Sequence, residues 1–407
     1  METRIWNVFF GMVVAAQCLA DPFPDNTESV RPLGMGGAFT AVANDANSVW
    51  TNPAGIAKIR KNRDIHRYHL IAIPNLVVGG NQAGLAFANA IYTSSASGTA
   101  SKVSQAADKN KGSDQSLLAF AGFNPVVFFE PSRGIPMEAG LYFHNRLSVK
   151  IPSDSTKKSE ISSLQDVGTQ FGYAYQSLSN RFNAGIQTRV FSRSDYSDTV
   201  DTEMLGHQKK LESRIQRDGN TGTGVAVDLG WMWTLADFWF PTIGMAMLNA
   251  PLGCRAEYYN PYAEKRQQVC GTKITGSVVN PESPALLDPT DLRVGVSITP
   301  RLTHSTSLRF AFDLQHLYFT DGTRYYGLSG IDAQKQVHAG MEFFWGNPML
   351  RNAFSLRVGY NGGFFTSGCS VRVASTVVEL ATYGTDVSAT PTPKEDRRTA
   401  LSVSVEF

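Results

Sequence analysis

The chain lacks most of the patterns that announce a catalyst. Its seven histidines are dispersed, with no His-x-x-x-His pair, and no Gly-x-Ser-x-Gly turn occurs. Neither a helical zinc site nor a serine-hydrolase elbow is therefore written into it. Cysteine is scarce, with Cys18, Cys254, Cys270 and Cys369 making four. Cys254 and Cys270 have no histidine nearby and make a poor metal-ligand set. Charge of one sign is missing too. The 37 basic and 35 acidic residues leave a net charge of +2, and the basic residues are scattered, so no nucleic-acid partner is expected. Beyond the first 20 residues no apolar run reaches the ~18 residues that a membrane-crossing helix needs. No internal repeat of fixed period and no second domain is evident. The residues nominate no enzyme activity, no cofactor and no metal.

What is present is a period of two. Side chains on a strand alternate faces, and apolar residues alternate with polar ones in about 14 segments, within a range of 12 to 16. In residues 225–235, Val225, Val227, Leu229, Trp231, Trp233 and Leu235 share one face. Ala226, Asp228, Gly230, Met232 and Thr234 share the other. Segments 292–298, 308–314, 337–343 and 354–360 repeat the scheme clearly. Segments 66–73, 117–129, 139–151, 170–175, 182–191, 242–248, 363–374 and 376–383 repeat it more weakly. Glycine at 36 residues and aromatics at 11% suit a β-rich chain with many turns. The polar faces carry Asp228, Arg293, Arg309, Asp313, Glu342 and Arg357. A β-sandwich could not hold these unpaired in its core, whereas a wide barrel with a polar lumen can. A soluble protein with the charges outward and the apolar faces in a shared core is the alternative.

The two ends and the loops favour the barrel. The last residues put Leu401, Val403, Val405 and Phe407 on one face, with Ser402, Ser404 and Glu406 on the other. This ending resembles the assembly signal of bacterial outer-membrane barrels, whose last strand must pair with the first because no open edge survives in lipid. The start, with Arg4, an apolar stretch at 8–16 and Cys18-Leu19-Ala20, reads as a signal peptide over 1–20 cleaved before Asp21. Residues 153–166, 192–222 and 250–288 are polar and long, as outer-face loops are. The last of them holds Cys254 and Cys270, and an oxidising exterior permits a disulfide between them. Closing such a loop restrains it by about 3 kcal/mol in the chain-entropy picture. Cys369 is left over and reads as a buried, unpaired small residue. Residues 79–111 break the alternation, and 83–90 and 103–108 suit short helices, a helical insert that packs in the barrel mouth or plugs the lumen, or else an ordinary surface excursion.

The stretch after the leader runs Leu33-Gly34-Met35-Gly36-Gly37-Ala38-Phe39-Thr40-Ala41-Val42-Ala43 and continues through Asp45-Ala46-Asn47 and Trp50 to Asn52-Pro53-Ala54-Gly55. Over residues 31–57 it resembles the opening of the fatty-acid transporter (FadL-like) superfamily, most closely its PorV-like branch. The resemblance implies an all-β fold, a single transmembrane antiparallel barrel of about 14 strands. It divides the chain into an N-terminal hatch at 21–64, folded inside the lumen, and a barrel at 65–407. The residues suit that role physically. Gly34, Gly36 and Gly37 permit positive φ and close packing, residues 38–43 suit a thin helix, and Asn52-Pro53-Ala54-Gly55 is a strong turn signal.

The implied function is passive transport of hydrophobic small molecules, such as long-chain fatty acids, past a pocket beside the hatch and out through the wall. Gly34, Gly36, Gly37, Phe39, Val42, Trp50, Asn52 and Pro53 are its candidate hatch and ligand-binding residues. The alternative is a PorV-like barrel in protein secretion or surface attachment, with the long loops as the working part. Expected partners are outer-membrane lipid, the barrel-assembly machinery, and either a hydrophobic small molecule or a secreted protein.

Overall fold

The computed structural model describes residues 29–59, 68–82, 115–132, 135–151, 159–200, 213–215, 217–260, 265–277, 287–317, 319–320, 324–325, 336–346, 353–386 and 395–407. The expected leader and the two expected helices at 83–90 and 103–108 lie outside the described residues.

Alternation becomes a closed wall. The strands are β1 (Tyr68–Asn81), β2 (Gln115–Phe123), β3 (Val126–Ser132), β4 (Ile135–Ile151), β5 (Ser159–Gln176), β6 (Phe182–Val200), β7 (Asn220–Thr234) and β8 (Thr242–Leu248). After β9 (Gly253–Asn260), β10 (Lys265–Gly271) and β11 (Lys273–Ser277) come β12 (Asp291–Ile298) and β13 (Thr306–Leu317). The short β14 (Phe319–Thr320) and β15 (Arg324–Tyr325) precede β16 (Val337–Trp345), β17 (Phe354–Asn361), β18 (Phe364–Val373), β19 (Thr376–Asp386) and β20 (Glu395–Glu406).

Sixteen of these form one antiparallel sheet, which closes where β20 pairs with β1 and where β7 pairs with β8. They make fourteen staves, because β2 and β3 follow one another between β1 and β4, and β11 extends the stave of β8 along β7. Each of the fourteen alternating segments corresponds to one stave. The last strand lies on the first in the register Leu401 to Val78, and Ile71 and Phe407 exchange backbone hydrogen bonds.

Burial decides between the barrel and the soluble alternative. Asp228, Asp313, Glu342 and Arg357 are buried, while Leu229, Phe310, Phe312 and Leu356 on the same strands are exposed. Apolar side chains outward and charges inward suit lipid outside and a polar lumen within. Leu401 and Phe407 are likewise exposed, and Ser402 and Ser404 face in.

Three expectations change. β5, β6 and β7 run well into stretches expected to be loops, starting at Ser159, ending at Val200 and starting at Asn220 respectively. Those stretches are polar on both faces, so they lack the alternation of a lipid-facing strand, yet their backbone ladders continue. The region 250–288 is also not plain loop, because β9 and β10 form a hairpin in a separate four-stranded sheet with β14 and β15. The hairpin carries the expected Cys254–Cys270 disulfide. Cys369 is only half-buried. It stands between Leu356 and Leu380, both exposed, and so shares the outer face.

Candidate functional site

The described part of the N-terminal segment packs against the inner wall and is almost wholly buried. It contains α1 (Val30–Gly34), α2 (Ser48–Thr51) and a 3-10 helix at Pro53–Lys58. Gly36 and Gly37 take φ of +66° and +83°, which only glycine adopts without strain. Gly34 serves differently, by close approach, since a Cβ there would stand 3.2 Å from the Gly368 Cα. The helix expected at 38–43 is a hydrogen-bonded turn, with Val42 and Ala43 both donating to the Phe39 carbonyl. Its backbone is claimed elsewhere: the amides of Phe39 and Thr40 donate to Asp313 Oδ2 at 2.8 Å each, and Asn52 Nδ2 donates to Thr40 O at 2.8 Å. Asn52 also caps the 3-10 helix through Ala54 N, and Pro53 occupies its first position, where no amide donor is needed.

The wall receives this backbone on glycines. A Cβ built on Gly340 would lie 2.3 Å from Met35 O, on Gly359 2.4 Å from Gly36 N, and on Gly244 2.6 Å from Thr40 O. On Gly230 it would lie 2.0 Å from Asn52 Oδ1, and on Gly185 2.4 Å from the Pro53 carbonyl. Gly359 pairs directly with Gly340, and Gly230 with Gly185. The glycines that alternation put on polar faces are thus seats for the inner segment, not turns.

Charge fixes the segment between the seats. Register places Arg309, Glu342 and Arg357 side by side on β13, β16 and β17. Arg31 from α1 completes the group, donating from Nε to Glu342 Oε1 at 2.9 Å and from Nη2 to Oε2 at 2.7 Å. Arg309 and Arg357 reach the same carboxylate at 2.7 and 3.0 Å. Arg31 also pairs with Asp45 and Asn44, and Arg357 with Glu379. Strands β16, β13, β18 and β12 add His338 Nδ1 against Gly36 O, Gln315 Nε2 to Gly37 O, Thr366 Oγ1 to Gly34 O and Ser297 Oγ to Ala41 O respectively.

Beside the segment lies a cavity of about 920 Å³. Apolar lining comes from Val42, Trp50, Ile59, Leu70, Val77 and Phe120, and cationic lining includes Lys58, Arg301 and Arg309. Among the described residues Lys58 contacts only Thr234 Oγ1, at 3.4 Å, and neither it nor Arg301 forms an ion pair. Burial and the nearby Arg309 guanidinium push the Lys58 ammonium down to about 8. Asn75, Gly122, Asn124 and His144 also line the cavity, and they border an interruption in the wall. Between β2 and β3, Asn124 and Pro125 leave the ladder, and β1 bulges opposite them. One backbone bond survives on each side, Asn124 N to Asn75 O at 2.8 Å and Leu141 N to Pro125 O at 3.1 Å. Pro74 and Pro125 have no N–H to add to the ladder, so the break is built into the sequence.

The structure brings the expected residues together in one segment and separates their roles. Val42 and Trp50 line the cavity, Trp50 in edge contact with Tyr142 at 5.1 Å. Phe39 does not line it; its ring lies 5.0 Å beneath the Arg31 guanidinium in a cluster with Met35, Val42 and Met232. Gly34, Gly36, Gly37, Asn52 and Pro53 dock the backbone. Sequence reasoning missed Lys58, Arg301 and the break at Asn124-Pro125. The two prolines on neighbouring strands were the available signal.

The structure is thus a closed β-barrel, apolar outside and polar within, with its N-terminal segment against the inner wall and a cavity at a wall break. No family model and no curated protein matches the sequence. Among solved structures, the CymD monoaromatic hydrocarbon channel is similar at 11% identity, covering 94% of this chain and 98% of that one with a TM-score of 0.50. A deltaS2S3 mutant of the TodX monoaromatic hydrocarbon channel is similar at 11% identity, 93% and 97% coverage and a TM-score of 0.51. Identity this low speaks for the fold alone, a closed antiparallel barrel of fourteen staves.

Proposed function

We propose that the protein is a bacterial outer-membrane barrel for passive transport of hydrophobic and amphipathic small molecules, with residues 29–59 acting as a hatch. The cavity carries the reading, because it adjoins the hatch and the wall break and offers an apolar side. Burial of about 25 cal/mol per Å² of apolar surface can drive capture without an energy source. Lys58 and Arg301, cations without a counter-charge among the described residues, favour an amphipathic anion such as a long-chain fatty acid. The short turns would then face the periplasm, and the apolar C-terminal face of Leu401, Val403, Val405 and Phe407 would serve barrel assembly.

The test is mass spectrometry of small molecules extracted from the detergent-purified protein, with a variant lacking residues 31–57 as control. A stoichiometric amphipathic ligand in the full chain, absent from the control, is the expected result. A second reading, a PorV-like role in protein secretion or attachment, draws on the separate four-stranded sheet with its disulfide. An empty barrel that co-purifies with a secreted protein would replace the first reading with this one.

A further inference from the structure

The inner face of β4–β6 holds a group of polar side chains that the transport reading does not use. Glu138 on β4 and Gln187 on β6 stand on either side of Gly172 in one cross-strand row. Gln170 on β5 stands opposite Gly140 one row away. Both glycines leave room that these side chains fill. Glu138 Oε1 lies 3.0 Å from a Cβ built on Gly172, and Gln170 Nε2 lies 2.9 Å from one built on Gly140. Ile56 of the 3-10 helix closes the pit from above, its Cδ1 2.7 Å from the same point over Gly172. Glu138 and Gln187 are 0% exposed and Gln170 is 3% exposed. Among the described residues, neither oxygen of Glu138 and no amide atom of Gln170 or Gln187 has a hydrogen-bond partner.

A buried carboxyl group without a partner is costly to ionise, and its surroundings here include the apolar Phe128, Ala174 and Ile56 of one cluster. The nearby cation does not serve it. Arg189, in the row of Gln170, is committed to Asp228 and Asn249. We propose that Glu138, Gln170 and Gln187 form a site for one monovalent alkali cation, enclosed beneath Ile56. Carboxylate and carboxamide oxygens are hard donors that suit such an ion, and a single carboxylate balances a single positive charge. Calcium sites gather more oxygen ligands and more charge.

The experiment follows thermal unfolding of the full chain in detergent micelles by tryptophan fluorescence. Lithium, sodium, potassium and choline chlorides are compared at constant ionic strength, with wild type and Glu138→Gln. Expected is a saturable rise of about 2 °C or more in the midpoint with sodium or potassium over choline, lost in the isosteric variant. Equal wild-type midpoints in all four salts overturn the site, since the group would then stand as the neutral acid or be met by water alone. A cation-specific rise that persists unchanged in Glu138→Gln also overturns it. The wild-type series decides even if the variant does not fold.

Discussion

Two patches of the inner wall treat buried polarity in opposite ways. In the row of Arg309, Glu342 and Arg357 on β13, β16 and β17 each charge faces its opposite across the ladder, and Arg31 enters the row as a fourth member. In the rows of Glu138 and Gln170 on β4–β6 a carboxyl group and two carboxamides are buried with no hydrogen-bond partner among the described residues, although further along β5 and β6 Asp166 and Arg193 pair across the ladder. The inner segment divides along the same line. Residues 31–52 are bonded to the wall through Glu342, Asp313, His338, Gln315 and Thr366. Residues 53–59 are held by Gln176 Nε2 on Ala57 O, by Lys58 on Thr234, and by apolar contact of Ile56, Ala57 and Ile59. The difference teaches that one end of the segment is fixed and the other rests. Directional bonds and backbone-on-glycine contacts set its position, and the side next to the wall break is the one with fewer of them.

The largest expected effect breaks the paired side. Glu342→Ala leaves Arg31, Arg309 and Arg357 facing one another, and removing one partner of a buried ion group costs about 3–5 kcal/mol. Urea unfolding in micelles, read by gel mobility, should show that loss. A change below about 1 kcal/mol would mean the row behaves as a solvated surface group and the contrast between the two sides is false. A smaller effect sharpens the contrast. Gly340→Ala sets a Cβ against the Met35 carbonyl, a backbone atom already tied into the segment, and should cost about 1–3 kcal/mol. Protease should then cut the N-terminal segment faster. Gly172→Ala meets Ile56 Cδ1 and the Glu138 side chain, groups that can turn aside, and should cost less in the same assay. Equal costs would place the two docking sides on the same footing.

Much of the wall was legible in the sequence, because a lipid-facing strand must alternate and alternation needs no knowledge of its neighbours. Trp231 and Trp233 opposite Asp228 and Met232 sufficed to identify β7. The inner segment was legible through its glycine and Asn-Pro-Ala-Gly pattern, and Gly36 and Gly37 do take the positive φ expected of them. Register was not legible. Arg309, Glu342 and Arg357 stood out singly as lumen charges, and only strand pairing makes them neighbours of one another and of Arg31. The same blindness hid the glycine seats, since Gly230 or Gly340 in a strand looks like a loss of packing until another backbone lies on it. The turn at 38–43 was mistaken for a helix because local propensity cannot register that Asp313, 273 residues on from Thr40, takes two of its amides.

The smallest effect asks whether the outer sheet belongs to the same account. Cys254–Cys270 staples β9 to β10, whose sheet with β14 and β15 is separate from the barrel sheet. A disulfide acts on the cooperative unit that contains its loop, by restricting that unit's unfolded chain. If the outer sheet opens independently, reduction should leave the barrel's urea midpoint within about 0.5 kcal/mol while proteolysis within 250–290 accelerates. A barrel loss near 3 kcal/mol would show the hairpin folding as one unit with the wall. The stability difference between the paired and unpartnered sides would then have to be measured with the disulfide intact, because the loop above β7 and β8 would be contributing to the same transition.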